Sequence, residues 1–349
     1  MIVNSLLGRF VLLSCLLGLL SCSISTIDTT KLLRPSRKAG HFPIVASPST
    51  NILTDNIGNS AYSWLPCSLF GPSQVESHLK FGVIGHDYNI NLKDVKIRSE
   101  HYKNFANIIR QAQNVTVIAG GINTKSFSFA NNLKDRVGPD SVIYANWDEL
   151  NGGPVNYGIY AHSAPIIGHW TGYLMKTLAD DGAIDVSKLI GVGFSLGAHI
   201  IGNMGYYLTH NKLKMAHIIA LDPASPCFED WHKLRPVQRY DAKLVQVIHT
   251  DVEWFGYEWK IGHIDIYPNK GRNQPDCFGN EMELNSCWHS YAWKLYKLRD
   301  VKAGCAKNWD EFKQNIIDHT IPIGQDLNSD HSVEGRDCTY YLHSPSPAA

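Results

Sequence analysis

The apolar positions change their period several times along the chain, and each change predicts a different kind of element. Phe10 to Leu20 is one continuous apolar run, preceded by a single basic residue, Arg9, and followed by the small residues Ser21-Cys22-Ser23. That order predicts a removable secretory leader over residues 1–23. The run is shorter than the roughly 18 apolar residues a membrane span requires, and no other stretch is apolar enough to cross a bilayer. Residues 24–60, rich in Ser, Thr, Pro and Asn, have little period and predict an extended N-terminal segment or pro-region. A folded domain is expected over residues 61–345.

Within that domain short apolar or β-branched runs alternate with helical stretches. The strand-like runs are Val115 to Ala119, Val142 to Ala145, Leu189 to Gly193, His217 to Leu221 and Leu244 to His249. Between them, Tyr102 to Gln113, Val155 to Leu178 and Leu196 to Tyr207 carry helical spacing. Strand and helix in alternation imply right-handed crossovers and a mostly parallel central sheet with helices on both faces, an α/β fold in a single domain.

Charge narrows the partners. Lys plus Arg equals Asp plus Glu at 32 each over 349 residues, so no long-range field favours nucleic acid or an anionic surface. Cysteine usage agrees with an oxidising compartment. Of eight cysteines, Cys15 and Cys22 leave with the leader; the six that stay predict three bridges. Six cysteines allow fifteen pairings; the nearest pair, Cys277–Cys287, is the expected local bridge, and Cys305–Cys338 with Cys67–Cys227 is one assignment of the rest. No paired CxxC or HxxxH spacing suggests a metal. Asn114-Val115-Thr116 is a glycosylation sequon at the mouth of a predicted strand.

The strongest chemical signal is Gly193-Phe194-Ser195-Leu196-Gly197, set between the apolar run ending at Val192 and the helix-compatible Ala198-His199-Ile200-Ile201. This pattern in this context predicts a strained turn that lifts a serine oxygen above the carboxyl edge of the sheet and over a helix N-terminus. A hydroxyl needs a base to take its proton and an acid to orient the base. Asp222 is the best acid, because it follows the next strand and so emerges at the same edge. The base is open on spacing alone: His232, His249, His263, His289, His319, His331 and His343 all follow Asp222. His199, one turn along the elbow helix, is expected to face the core. His289 stands between the bridge at Cys287 and a helical run, Ser290 to Leu298.

Five stretches together resemble the animal lipase family, which includes pancreatic lipase, lipoprotein lipase and the insect and wasp-venom phospholipases. They are Gly193 to His199, Leu221-Asp222-Pro223-Ala224-Ser225-Pro226, Val247-Ile248-His249-Thr250, Tyr267-Pro268-Asn269 with Gln274-Pro275, and Cys287-Trp288-His289. The resemblance implies an α/β-hydrolase fold, with Ser195 as nucleophile, Asp222 as triad acid and His289 as base. Its oxyanion donors are expected at the backbone of Gly121 and Leu196. Here the chain departs from the family, reading Ala119-Gly120-Gly121 where relatives carry His-Gly and an aromatic residue. Asn146-Trp147 likewise replaces the more frequent Asp-Trp.

Two loops bear on substrate. Only nine residues, Phe278 to Ser286, separate Cys277 from Cys287. So short a flap resembles that of the phospholipase-like relatives and predicts an open cleft. The segment from Trp254 and Phe255 to Trp259 is aromatic and outside any clear strand, suiting contact with a lipid surface or an acyl chain. The expectation is a secreted lipid esterase, of phospholipase A1 or triacylglycerol lipase type, working without cofactor or metal at a membrane, droplet or micelle surface. Its rivals are a lipid-binding or yolk-type protein on the same fold with little or no catalysis, and an esterase of soluble substrates.

Overall fold

A computed structural model describes residues 75–138, 141–150, 157–229, 234–324 and 339–345. The leader, the segment 24–60 and the expected domain start at 61 lie outside the described residues. Eleven described strands form one sheet: β1 (Lys80–Val83), β2 (Asn89–Asn91), β3 (Val115–Ala119), β4 (Ser141–Asn146), β5 (Ile190–Phe194), β6 (His217–Leu221), β7 (Leu244–Ile248), β8 (Ile264–Pro268), β9 (Lys302–Ala306), β10 (Thr320–Pro322) and β11 (Thr339–Leu342). They lie in the order β10-β9-β11-β8-β7-β6-β5-β3-β4-β1-β2. From β4 to β11 every pairing is parallel. The edges turn antiparallel, β1 against β4 and β2, and β9 against β11 and β10.

Continuous apolar runs make the central strands because both faces are covered. In β6, Ile218 and Ala220 join one buried cluster while Ile219 and Leu221 join the other. The first cluster packs under α3 (Glu100–Arg110), α5 (Tyr157–Asp180) and α6 (Leu196–His210) through residues such as Phe105, Ile167 and Ile201. The second takes Phe129 and Leu133 from α4 (Ser126–Val137) and Tyr291 and Leu295 from α7 (Glu281–Lys297). Side chains that alternate along a strand are thus sorted to opposite layers. Short helices α1 (Val75–His78), α2 (Leu92–Ile97) and α8 (Trp309–Lys313) complete the described α-helices.

The periodic reading placed β3 to β7 within a residue or so, and the differences have local causes. The helix expected from Tyr102 begins at Glu100, because the Ser99 side chain accepts from the Tyr102 N–H and caps it. The helix expected from Ser290 begins at Glu281, because Asn280 and Glu283 form a reciprocal capping box. His289 and Cys287 are therefore interior to α7. The span from Phe278 to Ser286 is not a free flap: from Glu281 onward it is helix. Helix α4, the inner strand β8 and the strands toward both edges, β1, β2 and β9 to β11, escaped the reading. Strands such as β1 (KFGV) and β9 (KAGCA) are short and interrupted by glycine, so they carry little alternation of their own.

Cys277 and Cys287 are bridged. Cys227 and Cys305 are also disulfide-bonded; their expected partners, Cys67 and Cys338, lie outside the described residues. Asn114 is exposed at the entrance of β3, at the opposite end of the strand from Gly121. Among the described residues no helix is long and apolar enough to cross a membrane.

Candidate active site

Parallel strands deliver their carboxyl ends to one edge, and the candidate residues are found there. β5 ends at Phe194 and Ser195 begins the turn into α6 with φ 57° and ψ −122°. That backbone is costly for a residue with a side chain and is held by the surrounding structure. The elbow is too tight for side chains at its flanks: a Cβ on Gly197 would sit 2.0 Å from the Ala119 carbonyl oxygen, and one on Gly193 would sit 2.3 Å from the Gly197 oxygen. Ser195 makes no side-chain capping bond to the helix it precedes, so the hydroxyl is not consumed in starting α6.

Asp222 leaves β6 at the neighbouring position, fully buried and with φ 42°. Its N–H bonds to the Ile248 carbonyl at 2.7 Å. The carboxylate is satisfied on both oxygens. Oδ1 accepts from the Thr250 N–H at 2.6 Å and the Asp251 N–H at 3.2 Å, and Oδ2 faces His289 Nδ1 at 2.6 Å. With Nδ1 donating to a carboxylate, the other ring nitrogen of His289 is the one able to take a proton. The imidazole is also held between aromatic rings, with Phe194 centred 4.8 Å away and Phe255 5.7 Å away. Phe194 adjoins Ser195 in the chain, so the imidazole carried by α7 packs on the residue that precedes the serine.

The other candidate histidines are employed elsewhere. His249, wholly buried, lies 2.6 Å from the Tyr257 carbonyl and 2.9 Å from Asp265. His263 accepts from the Val245 N–H, His319 meets Asp318 and Tyr340, and His343 packs on Trp309. His232 and His331 lie outside the described residues. His199 is buried, with Nδ1 accepting from the Val237 N–H at 3.1 Å and Nε2 donating to the Ala224 carbonyl at 2.7 Å. Burial lowers its pKa to about 3, so it stays neutral and ties the elbow helix to the loops around Ala224 and Val237.

Gly121 stands directly over the serine: a Cβ there would lie 2.7 Å from Ser195 Cβ and 3.2 Å from Oγ. Its carbonyl is turned into a local loop, accepting from Thr124 Oγ1 at 2.6 Å and the Thr124 N–H at 3.3 Å. That closure gives the double-glycine loop a defined shape. Asn146, the other departure, accepts from the Asp148 N–H, and Asp148 in turn accepts from Ser126 at the start of α4. Its role is thus in joining two loops.

The aromatic loop divides by direction. Trp254 and Trp259 are 43% and 48% exposed, whereas Tyr257 is buried and Phe255 faces His289. Gly256 lies against Asp222 and bridges Ala224, closing the floor of the site. Phe278, inside the Cys277–Cys287 bridge, is 83% exposed.

Residues 91–297 match the Lipase family. The chain belongs to the Lipase family. Its parallel sheet, serine elbow and two helical layers are the α/β-hydrolase fold that membership carries. Phospholipase A1 of Vespula squamosa is 38% identical over 141 residues, 40% of this chain and 46% of that protein. Pancreatic lipase-related protein 2 of Rattus norvegicus is 30% identical over 201 residues, 55% of this chain and 41% of that protein. The chain spans about half the length of the curated relatives it matches. A solved phospholipase/carboxylesterase of Dyadobacter fermentans overlaps this lipase-family chain at 14% identity and a TM-score of 0.27, over 40% of this chain and 66% of that one, too slight an overlap to bear an argument.

One residue of the site was missed from sequence. Asp251 closes the Val247 to Thr250 stretch and emerges at the same sheet edge as Asp222, one strand further on. Its signal is an acid two residues beyond the predicted strand Leu244 to His249, but Asp222 already fills the place of the orienting acid.

Proposed function

We propose that this chain hydrolyses lipid esters through an acyl-enzyme, with Ser195 as nucleophile, His289 as general base and Asp222 as the acid that orients it. The observation carrying the proposal is the contact of His289 with the buried Asp222 carboxylate at 2.6 Å, with Phe194, the residue before the strained positive-φ Ser195, packed on the imidazole. His289 takes the Ser195 proton as oxygen attacks the ester carbonyl, then returns it to the departing alcohol; water repeats the sequence to free the acid. The N–H groups of Gly121 and Leu196 are the proposed oxyanion donors, since Gly121 lies against the serine and Leu196 opens α6 beneath it.

A phospholipid substrate, attacked at its sn-1 ester, suits this chain best. Only nine residues lie inside the Cys277–Cys287 bridge and most of them are helix, which leaves little chain to cover the cleft against a polar head group. Identity to a wasp phospholipase A1 supports the same choice. Trp254, Trp259 and Phe278 are proposed to meet the lipid surface. The leader-like residues 1–23 and the bonded cysteines favour secretion. The altered loop Ala119-Gly120-Gly121 favours a second reading, a lipid-binding protein with weak or absent catalysis.

The test is to incubate purified protein and its Ser195→Ala variant with phosphatidylcholine, triacylglycerol and a short soluble ester, and to identify the acid released. Release of the sn-1 chain by the wild type alone is expected. No release from any substrate would select the lipid-binding reading, and activity surviving in Ser195→Ala would remove the serine from its role.

A further inference from the structure

The mechanism above uses one carboxyl beside His289, and the site holds two. Side-chain oxygens of Asp222 and Asp251 and a ring nitrogen of His289 all lie within 4.8 Å of one another. Both carboxyls are almost completely buried. Two carboxylates at such range in a dry environment oppose each other's ionisation, so the pair tends to keep one proton.

Hydrogen bonding decides which of them keeps it. Asp222 has two backbone donors on Oδ1 and the imidazole on Oδ2. Asp251 has one, the Phe255 N–H at 3.1 Å on Oδ2, while its Oδ1 is enclosed without a partner. An ionised carboxylate enclosed with an empty oxygen is far costlier than a neutral acid in the same place. Burial first, and then the charge of Asp222, push the Asp251 carboxyl up to about 8. Glu253, paired with Arg272, adds a smaller push in the same direction, and Asp265 is turned toward His249.

We propose that Asp251 is a positioning residue of this hydrolytic site, holding a proton at neutral pH and, on releasing it in mild alkali, placing a second negative charge near His289. The inference rests on the reading of Ser195, His289 and Asp222 given above. The released proton passes to bulk base, and no bond other than its O–H is broken. As Ser195 attacks, His289 becomes an imidazolium, and a cation beside two carboxylates is better stabilised than beside one. Activity therefore gains a second increment, on the order of three- to tenfold, as Asp251 ionises.

The experiment measures kcat/KM for a water-soluble ester across about pH 6 to 10 with wild type, Asp251→Asn and Ser195→Ala. Wild type is expected to rise twice, the later rise near pH 8, and Asp251→Asn once. A single rise in both proteins overturns the role of Asp251 and leaves the triad reading intact, whereas activity in Ser195→Ala overturns the triad reading itself. A second measurement is independent of turnover. Infrared spectra of the wild type should show a protonated-carboxyl stretch at neutral pH that is lost in alkali and is diminished in Asp251→Asn. No such band in the wild type, or one that persists whole in the variant, overturns the proposal even for a protein without activity. Asp251→Ser, which removes the carboxyl with a smaller side chain, serves the same comparison if the asparagine variant does not fold.

Discussion

His289 Nδ1 and Asp222 Oδ2 stand 2.6 Å apart although 67 residues separate them in the chain. The contact exists because α7 crosses the carboxyl edge of the sheet where β6 ends. A charge-assisted bond of this length, to a fully buried carboxylate, fixes both the tautomer and the direction of the ring.

Asp222→Asn keeps the shape of the acid and removes its charge. The amide can still accept the Thr250 N–H, but the imidazole would be free to adopt the wrong tautomer. On the proposed mechanism kcat falls by about 10⁴ while substrate binding changes little. Steady-state kinetics with a soluble ester would check this, and a fall of less than about tenfold would argue that the pair does not orient a working base.

Two glycine-to-alanine changes are expected to fail in different ways. In Gly197→Ala the new carbon would lie 2.0 Å from the backbone oxygen of Ala119, which cannot retreat without moving β3, so loss of folded protein is expected. In Gly121→Ala it would meet the Ser195 side chain at 2.7 Å. The surrounding loop can give, so this variant should fold, by circular dichroism and melting, yet lose about 10²–10³ in kcat through a misplaced oxyanion donor.

Stability should fall on the acid side. Burial lowers the pKa of both His199 and His217 to about 3 from an ordinary 6.5. Below pH 6.5 the unfolded chain takes up protons at these rings and the folded chain does not, so the contribution is present above that value and is lost as pH falls toward 3. Urea midpoints measured across this interval should decline, and His199→Gln, starting from a lower stability, should decline less steeply.

Asp251 acts with the opposite sign. Its pKa is raised to about 8 from 3.8, so the unfolded chain releases the proton first and the folded state loses stability as pH rises between those values. Asp251→Asn should therefore gain stability over the wild type, by up to a few kcal/mol near pH 8, and show no such gain below pH 4. Equal midpoints at all pH values would mean that Asp251 is ionised in the folded protein.

The outward aromatic residues set a prediction for binding apart from chemistry. Trp254, Trp259 and Phe278 expose enough apolar area that burial at an interface is worth roughly 1.5–3 kcal/mol for each side chain. Replacing all three with alanine should weaken vesicle binding by more than about 10²-fold. Hydrolysis of a soluble ester should be nearly unaffected. Unchanged flotation with phosphatidylcholine vesicles would place the lipid contact elsewhere.

By itself the sequence determined the features that depend on neighbours in the chain. The apolar runs of β3, β5, β6 and β7, the elbow around Ser195 and the acid after β6 were all legible, because strand period, glycine placement and turn chemistry act over a few residues. The short edge strands were not, since their order comes from partners far along the chain and not from their own alternation. Spacing left seven histidines open, and family resemblance singled out His289; its meeting with Asp222 is made only when α7 is laid across the sheet edge. Asp251 was readable as an acid after a strand, but not as a carboxyl short of donors beside a charged twin. Its protonation is a property of burial, and burial belongs to tertiary structure: the dielectric and the donors around a side chain are set by segments brought together in space.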